Sequence, residues 1–139
     1  MEIKDAMTSE INLISPSTTL AEAARIMRDD DVGAIPVAEN DRLVGILTDR
    51  DIVIRAIADK KQPENTKAAA AMTDKVLYCF DDQSVEEVAK NMGDQQIRRL
   101  PVVTRDKRLV GIVSLGDLST CGSARAAGAA LENISEPSA

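Results

Sequence analysis

Residues 43–51 read Leu43-Val44-Gly45-Ile46-Leu47-Thr48-Asp49-Arg50-Asp51, and residues 109–117 read Leu109-Val110-Gly111-Ile112-Val113-Ser114-Leu115-Gly116-Asp117. Both are short aliphatic runs with glycine third, ending on a hydroxyl residue three positions before an aspartate. The match extends outward. Ile35-Pro36-Val37 aligns with Leu100-Pro101-Val102, Thr19-Leu20-Ala21-Glu22-Ala23-Ala24 with Ser84-Val85-Glu86-Glu87-Val88-Ala89, Met27 with Met92, and Ala6-Met7-Thr8 with Ala71-Met72-Thr73. These pairs lie 65 positions apart, and the offset grows to 66 after a loop that is one residue longer in the second copy. An internal duplication therefore organises the chain.

Each copy predicts the same elements. Thr19 and Glu22, like Ser84 and Glu87, have the spacing of a capping box. Behind them Leu20, Ala23, Ala24 and Met27, and Val85, Val88, Ala89 and Met92, form one apolar helical stripe, with the methionines as core filler. A short strand follows, Ala34 to Val37 or Leu100 to Val103, in which proline removes one ladder donor and so marks a strand start, edge or bulge. Polar turns (Glu39-Asn40-Asp41-Arg42 and Arg105-Asp106-Lys107-Arg108) precede the strands Leu43 to Leu47 and Leu109 to Val113. A second helix should open near Asp49 and bury Ile52, Val53, Ala56 and Ile57. Extended lead-ins, Ile11 to Ile14 and Val76 to Phe80, come before each unit. The polar stretch from Asp59 to Thr66 reads as a linker, and the Ala/Ser/Gly-rich end from Ser119 to Ala139 as a weak helix or a disordered tail.

With 139 residues, the chain is sized for one domain or two small units that share a core. A unit of about 65 residues buries only about 60% of its unfolded surface, so the copies are expected to pack together, sheet to sheet. Hydrophobic residues reach 44% and aromatics 1%, only Tyr78 and Phe80, so the interior must be aliphatic. That scarcity, with a net charge of −6, argues against nucleic-acid binding. The absence of histidine removes His-based triads and His metal ligands together. Cys79 and Cys121 are too few for a metal or disulfide framework and read as buried free thiols. No apolar h-region opens the chain and no run is long enough for a membrane span, so a cytoplasmic protein is expected.

The hydroxyl-x-x-Asp pairs, Thr48/Asp51 and Ser114/Asp117, admit two readings. They are capping pairs that satisfy free donors at the start of the next helix. Alternatively, each aspartate, an acceptor-only group with two oxygens, receives the adjacent hydroxyls of a ribose. In that second reading the hydroxyl residue meets phosphate, and backbone interrupted at Pro36 or Pro101 faces an adenine edge. Arg50, Arg98 and Arg99 are then the phosphate candidates, because guanidinium presents forked donors, although a solvated or salt-bridged arginine is the plainer role. Asp29-Asp30-Asp31 reads as a solvated acidic corner. Nothing here supplies a nucleophile, base or metal centre, so an enzyme is not expected.

The Leu-Val-Gly-Ile strands ending in Thr48-x-x-Asp51 or Ser114-x-x-Asp117, the Pro-Val strands and the Met-Thr lead-ins together resemble a tandem pair of CBS (cystathionine β-synthase) domains, over about residues 3 to 120. The resemblance implies an α+β fold of two β-α-β-β-α units joined about a pseudo-twofold axis, with clefts between them. The expected boundaries are 3–62 and 68–125, with a tail at 126–139. It further implies a stand-alone regulatory module for an adenosine-containing ligand (AMP, ADP, ATP or S-adenosylmethionine), commonly dimerised through its helices. Asp51 and Asp117 would hold ribose, Thr48 and Ser114 ribose or phosphate, and Ala34, Ile35, Arg99 and Leu100, beside the two prolines, would line the base. Because Gly33 and Ala34 align with Arg98 and Arg99, and Arg50 with Gly116, unequal clefts are expected. The alternative is a ligand-free structural or stress-associated interaction protein whose motifs only cap helices. The regulated partner is not indicated.

Overall fold

The computed structural model describes residues 1–121; the tail at 126–139 and the Cys121 side chain lie outside the described residues. The chain divides into two compact units. The first-copy unit is Asn12–Val76. The second-copy unit joins Met1–Ile11 to the chain from Leu77 onward. Both have mixed helix and strand content, as the α+β expectation required.

In the first-copy unit, Thr19 Oγ1 accepts from Glu22 N at 3.2 Å and starts α1 (Leu20–Asp30). Only this half of the expected capping box forms. The helix buries Leu20, Ala23 and Met27 and stops at Asp31, whose φ of 53° is left-handed. Ala24 faces outward. Strand β1 (Ala34–Glu39) returns into β2 (Arg42–Thr48) through Asn40 and Asp41, with φ of 52° and 65°. Two such residues make the I′ turn whose twist matches an antiparallel hairpin, and Asn and Asp tolerate it. Ile14 pairs parallel to β1 at Val37, and Thr73 antiparallel to β2 at Ile46, so β1 is flanked on both sides. The proline marks a bulge rather than an edge, since the register shifts between Val37 and Ala38.

Next comes α2 (Asp49–Ile52), which runs into a π-helical turn, Val53–Ile57. Ile52 and Ala56 are buried, whereas Val53 and Ile57 are 56% and 50% exposed, contrary to the expected four-residue stripe. So short an element packs a single i, i+4 line inward, and the residues one step round the helix turn out. Arg55 Nη1 donates to the carbonyls of Ala71 (3.2 Å) and Met72 (3.1 Å), tying this turn to the segment that carries Thr73.

The second-copy unit repeats the plan. Ser84 Oγ accepts from Glu87 N at 3.1 Å and starts α3 (Val85–Asp94), which buries Val85, Val88, Ala89 and Met92. Here too the return half of the box is missing: Glu87 Oε1 accepts from Gln83 Nε2 instead. Strand β3 (Cys79–Phe80) pairs parallel to β4 (Arg99–Val103), which pairs antiparallel to β5 (Leu109–Ser114), again with a register shift just past the proline. Thr8 bridges β5 at Ile112, the place that Thr73 takes against Ile46. Helix α4 (Leu115–Cys121) follows β5 directly.

The repeated glycines explain this bridge. A Cβ on Gly45 would lie 2.8 Å from Met72 Sδ and 2.9 Å from Thr73 O; on Gly111 it would lie 2.9 Å from Met7 Sδ and 2.7 Å from Thr8 O. Each Met-Thr segment therefore plugs a notch that only glycine leaves open. Both cores are aliphatic. One centres on Leu20, Ile35, Val37 and Leu47, the other on Ile3, Val88, Met92, Val102 and Leu118. Tyr78 and Phe80 stay outside them, in an edge-to-face pair with centroids 5.7 Å apart.

Candidate functional site

Each unit places its hydroxyl residue at the last position of a strand and its aspartate in the first turn of the following helix. Thr48 Oγ1 accepts from Asp51 N at 3.0 Å, and Asp51 Oδ2 accepts from Thr48 N at 3.0 Å. The second copy matches: Ser114 Oγ accepts from Asp117 N at 3.1 Å, and Asp117 Oδ2 from Ser114 N at 2.9 Å. These are reciprocal capping boxes, so the capping role is realised in both copies. It uses one carboxylate oxygen. Among the described residues, Oδ1 of Asp51 and of Asp117 has no hydrogen-bond partner. Asp51 is buried and Asp117 half-buried, and the cap holds each carboxylate in one orientation. An acceptor fixed in this way, with an oxygen to spare, suits a hydroxyl-rich ligand.

The neighbouring strand brings the second group of expected residues to the same corner. Ala34 lies opposite Thr48 in the β1–β2 ladder, and Arg99 opposite Ser114 in the β4–β5 ladder. One residue earlier, Gly33 O accepts from Asp49 N at 2.9 Å, and Arg98 O from Leu115 N at 3.1 Å. Arg50, Arg98 and Arg99 are all exposed, and among the described residues none of their side chains has an ion-pair partner. Ile35 and Leu100 are buried, at 1% and 4% exposure. The carbonyls of the two prolines, part of the backbone expected to face an adenine edge, each already accept a hydrogen bond. Pro36 O accepts from Ile14 N at 3.1 Å, and Pro101 O lies 3.8 Å from the Cys79 thiol that donates to it, because both prolines sit inside flanked strands.

Sequence reasoning passed over Asp49. Its carboxylate would lie 3.3 Å from a Cβ placed on Gly33, so it leans across that glycine beside the Thr48 corner. The signal was the break in the repeat, where Asp49 aligns with Leu115. Among the described residues no group of three or more Cys, Asp or Glu side chains is placed to hold a metal ion, and no helix is long and apolar enough to cross a membrane.

Comparison with known proteins agrees with this duplicated geometry. The chain is 48% identical over 138 residues to YlbB of Bacillus subtilis (strain 168), covering 97% of this chain and 92% of that protein. The crystal structure of Hypoxic Response Protein I with two coordinated zinc ions is similar with a TM-score of 0.77 and 36% identity, over 86% of this chain and 98% of that one. The crystal structure of CBSX2 in complex with AMP is similar with a TM-score of 0.74 and 26% identity, over 86% of this chain and 93% of that one. The CBS domain pattern matches twice, at residues 3–57 and 68–121, and the chain belongs to the CBS domain family, as a tandem pair.

Proposed function

We propose that the two corners, Thr48/Asp51 and Ser114/Asp117, bind an adenosine-containing ligand through its ribose, and that the chain is a regulatory module rather than an enzyme. The observation that carries this reading is the spare Oδ1 on each capped aspartate, held in the same place in both copies. The AMP-bound CBSX2 supports the ligand class, with AMP, ADP, ATP and S-adenosylmethionine as the members to try. Gly33, Ala34, Arg98 and Arg99 supply the flanking wall, backed from the cores by the buried Ile35 and Leu100. Occupancy acts by favouring one arrangement of the chain over another, which requires only a difference in ligand affinity between the two. Val53, Ile54 and Ile57, each about half exposed, form an apolar face that fits a second copy, and a cytoplasmic homodimer is the working assembly in this reading.

The competing reading, a ligand-free stress-associated protein, is favoured by the full capping boxes and by the likeness to Hypoxic Response Protein I. Thermal melting separates the two. The ligand reading expects AMP, ATP or S-adenosylmethionine to raise Tm, as a ligand selective for the native state must. Asp51→Ala and Asp117→Ala together should abolish that rise. No rise with any of the three would favour the ligand-free reading.

A further inference from the structure

The two corners share a backbone and differ in charge. Around Thr48 the matched positions hold Gly33, Ala34, Asp49, Arg50 and Asp51, two carboxylates against one guanidinium. Around Ser114 they hold Arg98, Arg99, Leu115, Gly116 and Asp117, two guanidiniums against one carboxylate. Arg99 is the direct cross-strand partner of Ser114, so both side chains leave the same face of the sheet, at the position where Ala34 faces Thr48. The Arg98 carbonyl accepts from Leu115 N, which fixes Arg98 beside the first residue of α4. Neither arginine side chain has a hydrogen-bond or ion-pair partner among the described residues, and both are exposed. At the other corner, the Asp49 carboxylate leans over Gly33, in the space that corresponds to Arg98.

Resting on the ribose reading above, we infer that the two corners select ligands by charge: the Ser114/Asp117 corner takes the phosphorylated form, with Arg99 and Arg98 on the phosphate, and the Thr48/Asp51 corner takes the nucleoside without phosphate. A phosphate entering the first-copy corner meets Asp49 and Asp51 with only Arg50 to offset them. One entering the second-copy corner meets forked donors, with Asp117 the one acid at the matched positions. An unpaired arginine gains a charge-assisted hydrogen bond there, an interaction that corresponds to about tenfold in affinity.

Calorimetry on the full chain with AMP and adenosine, which differ by the phosphate alone, tests this. Asp51→Asn leaves the second-copy corner as the competent one, and Asp117→Asn leaves the first; asparagine keeps an acceptor for the cap. With Asp51→Asn, AMP should bind at least about tenfold more tightly than adenosine. With Asp117→Asn, AMP should bind no more tightly than adenosine. Adding Arg99→Ala, the residue that the first copy has at this position, to Asp51→Asn should collapse the AMP-to-adenosine ratio, and Arg99→Lys should restore part of it. A ratio unmoved by Arg99→Ala, or a phosphate preference retained in Asp117→Asn, overturns the inference while leaving the ribose reading in place. Failure of the unmutated chain to bind either compound overturns both.

Discussion

The first-copy and second-copy units fold to one plan from sequences that agree at only some positions, and the pattern of agreement separates fold from chemistry. Shared residues are those that geometry constrains. Gly45 and Gly111 open notches for Met72 and Met7, Thr19 and Ser84 cap the first helices, and Thr48/Asp51 and Ser114/Asp117 box the second. Unshared residues cluster at exposed or half-buried places beside those boxes: Gly33-Ala34 against Arg98-Arg99, and Asp49-Arg50 against Leu115-Gly116. Some contrasts are internal. Ile3 is fully buried in the second-copy core where the first copy has Ala68, also fully buried, and Cys79 stands where the first copy has Ile14. Arg105 makes a forked pair with Asp82, at 2.8–3.1 Å, and lies 4.1 Å above the Phe80 ring in the second-copy unit alone among the described residues.

The largest expected effect probes the cores. Ile3→Ala makes the second-copy core match the first at this position but leaves a hole, and should cost about 2–5 kcal/mol in denaturant unfolding. Hydrogen exchange should rise in residues 79–118 and not in 14–73, because Ile3 packs in that unit. A uniform rise would break the division into two units. Next are the notches. Gly111→Ala should cost about 1–3 kcal/mol, since the new methyl would lie 2.7 Å from Thr8 O, a backbone atom that cannot swing away. Gly45→Ala should cost nearly as much, with 2.8 Å to a methionine sulfur and 2.9 Å to Thr73 O. Smaller still are the caps: Thr48→Ala and Ser114→Ala should each cost about 0.5–2 kcal/mol, and by similar amounts, because the two boxes have the same geometry.

The last contrast is silent at neutral pH. Burial, with Asp81 nearby as a lesser cause, pushes the Cys79 thiol from 9.0 up to about 12. A thiol held neutral in the fold contributes stability that is complete below pH 9 and lost as pH rises from 9 toward 12, because the unfolded chain ionises first. Replacing Cys79 with Val should remove that alkaline loss in pH-dependent unfolding. The native thiol should also resist alkylation at pH 8, where thiolate is the reactive species.

Much of this was legible in the sequence. Two helices with a three-plus-four stripe, two hairpins and two strand-end motifs follow from periodicity and repetition, and Asn40-Asp41 supports a tight turn by its chemistry. The partner of each Met-Thr segment was not legible. Met7-Thr8 lies at the start of the first copy in sequence but docks on the second-copy unit, at Gly111, while Met72-Thr73, at the start of the second copy, docks on Gly45. Both plugs and both notches are chemically alike, so local sequence is degenerate between the two pairings and tertiary closure decides. Val53 and Ile57 misled for a related reason: apolarity marks residues that can be buried, and a four-residue helix with a π turn has only one line to bury. At the site, spacing located both aspartates. It did not show that Oδ2 would serve the cap while Oδ1 stayed unused, nor that flanking strands would occupy the proline carbonyls.

The claim that the capped aspartates receive ribose hydroxyls is tested most directly by calorimetry with AMP and with 2′,3′-dideoxy-AMP, on the unmutated chain and on the Asp51→Asn/Asp117→Asn double variant. Such a cycle isolates the diol–carboxylate coupling from other effects of either change. The prediction is that loss of the diol weakens binding to the unmutated chain about tenfold or more and has little further effect on the double variant. Equal affinity of the unmutated chain for both compounds would contradict the account.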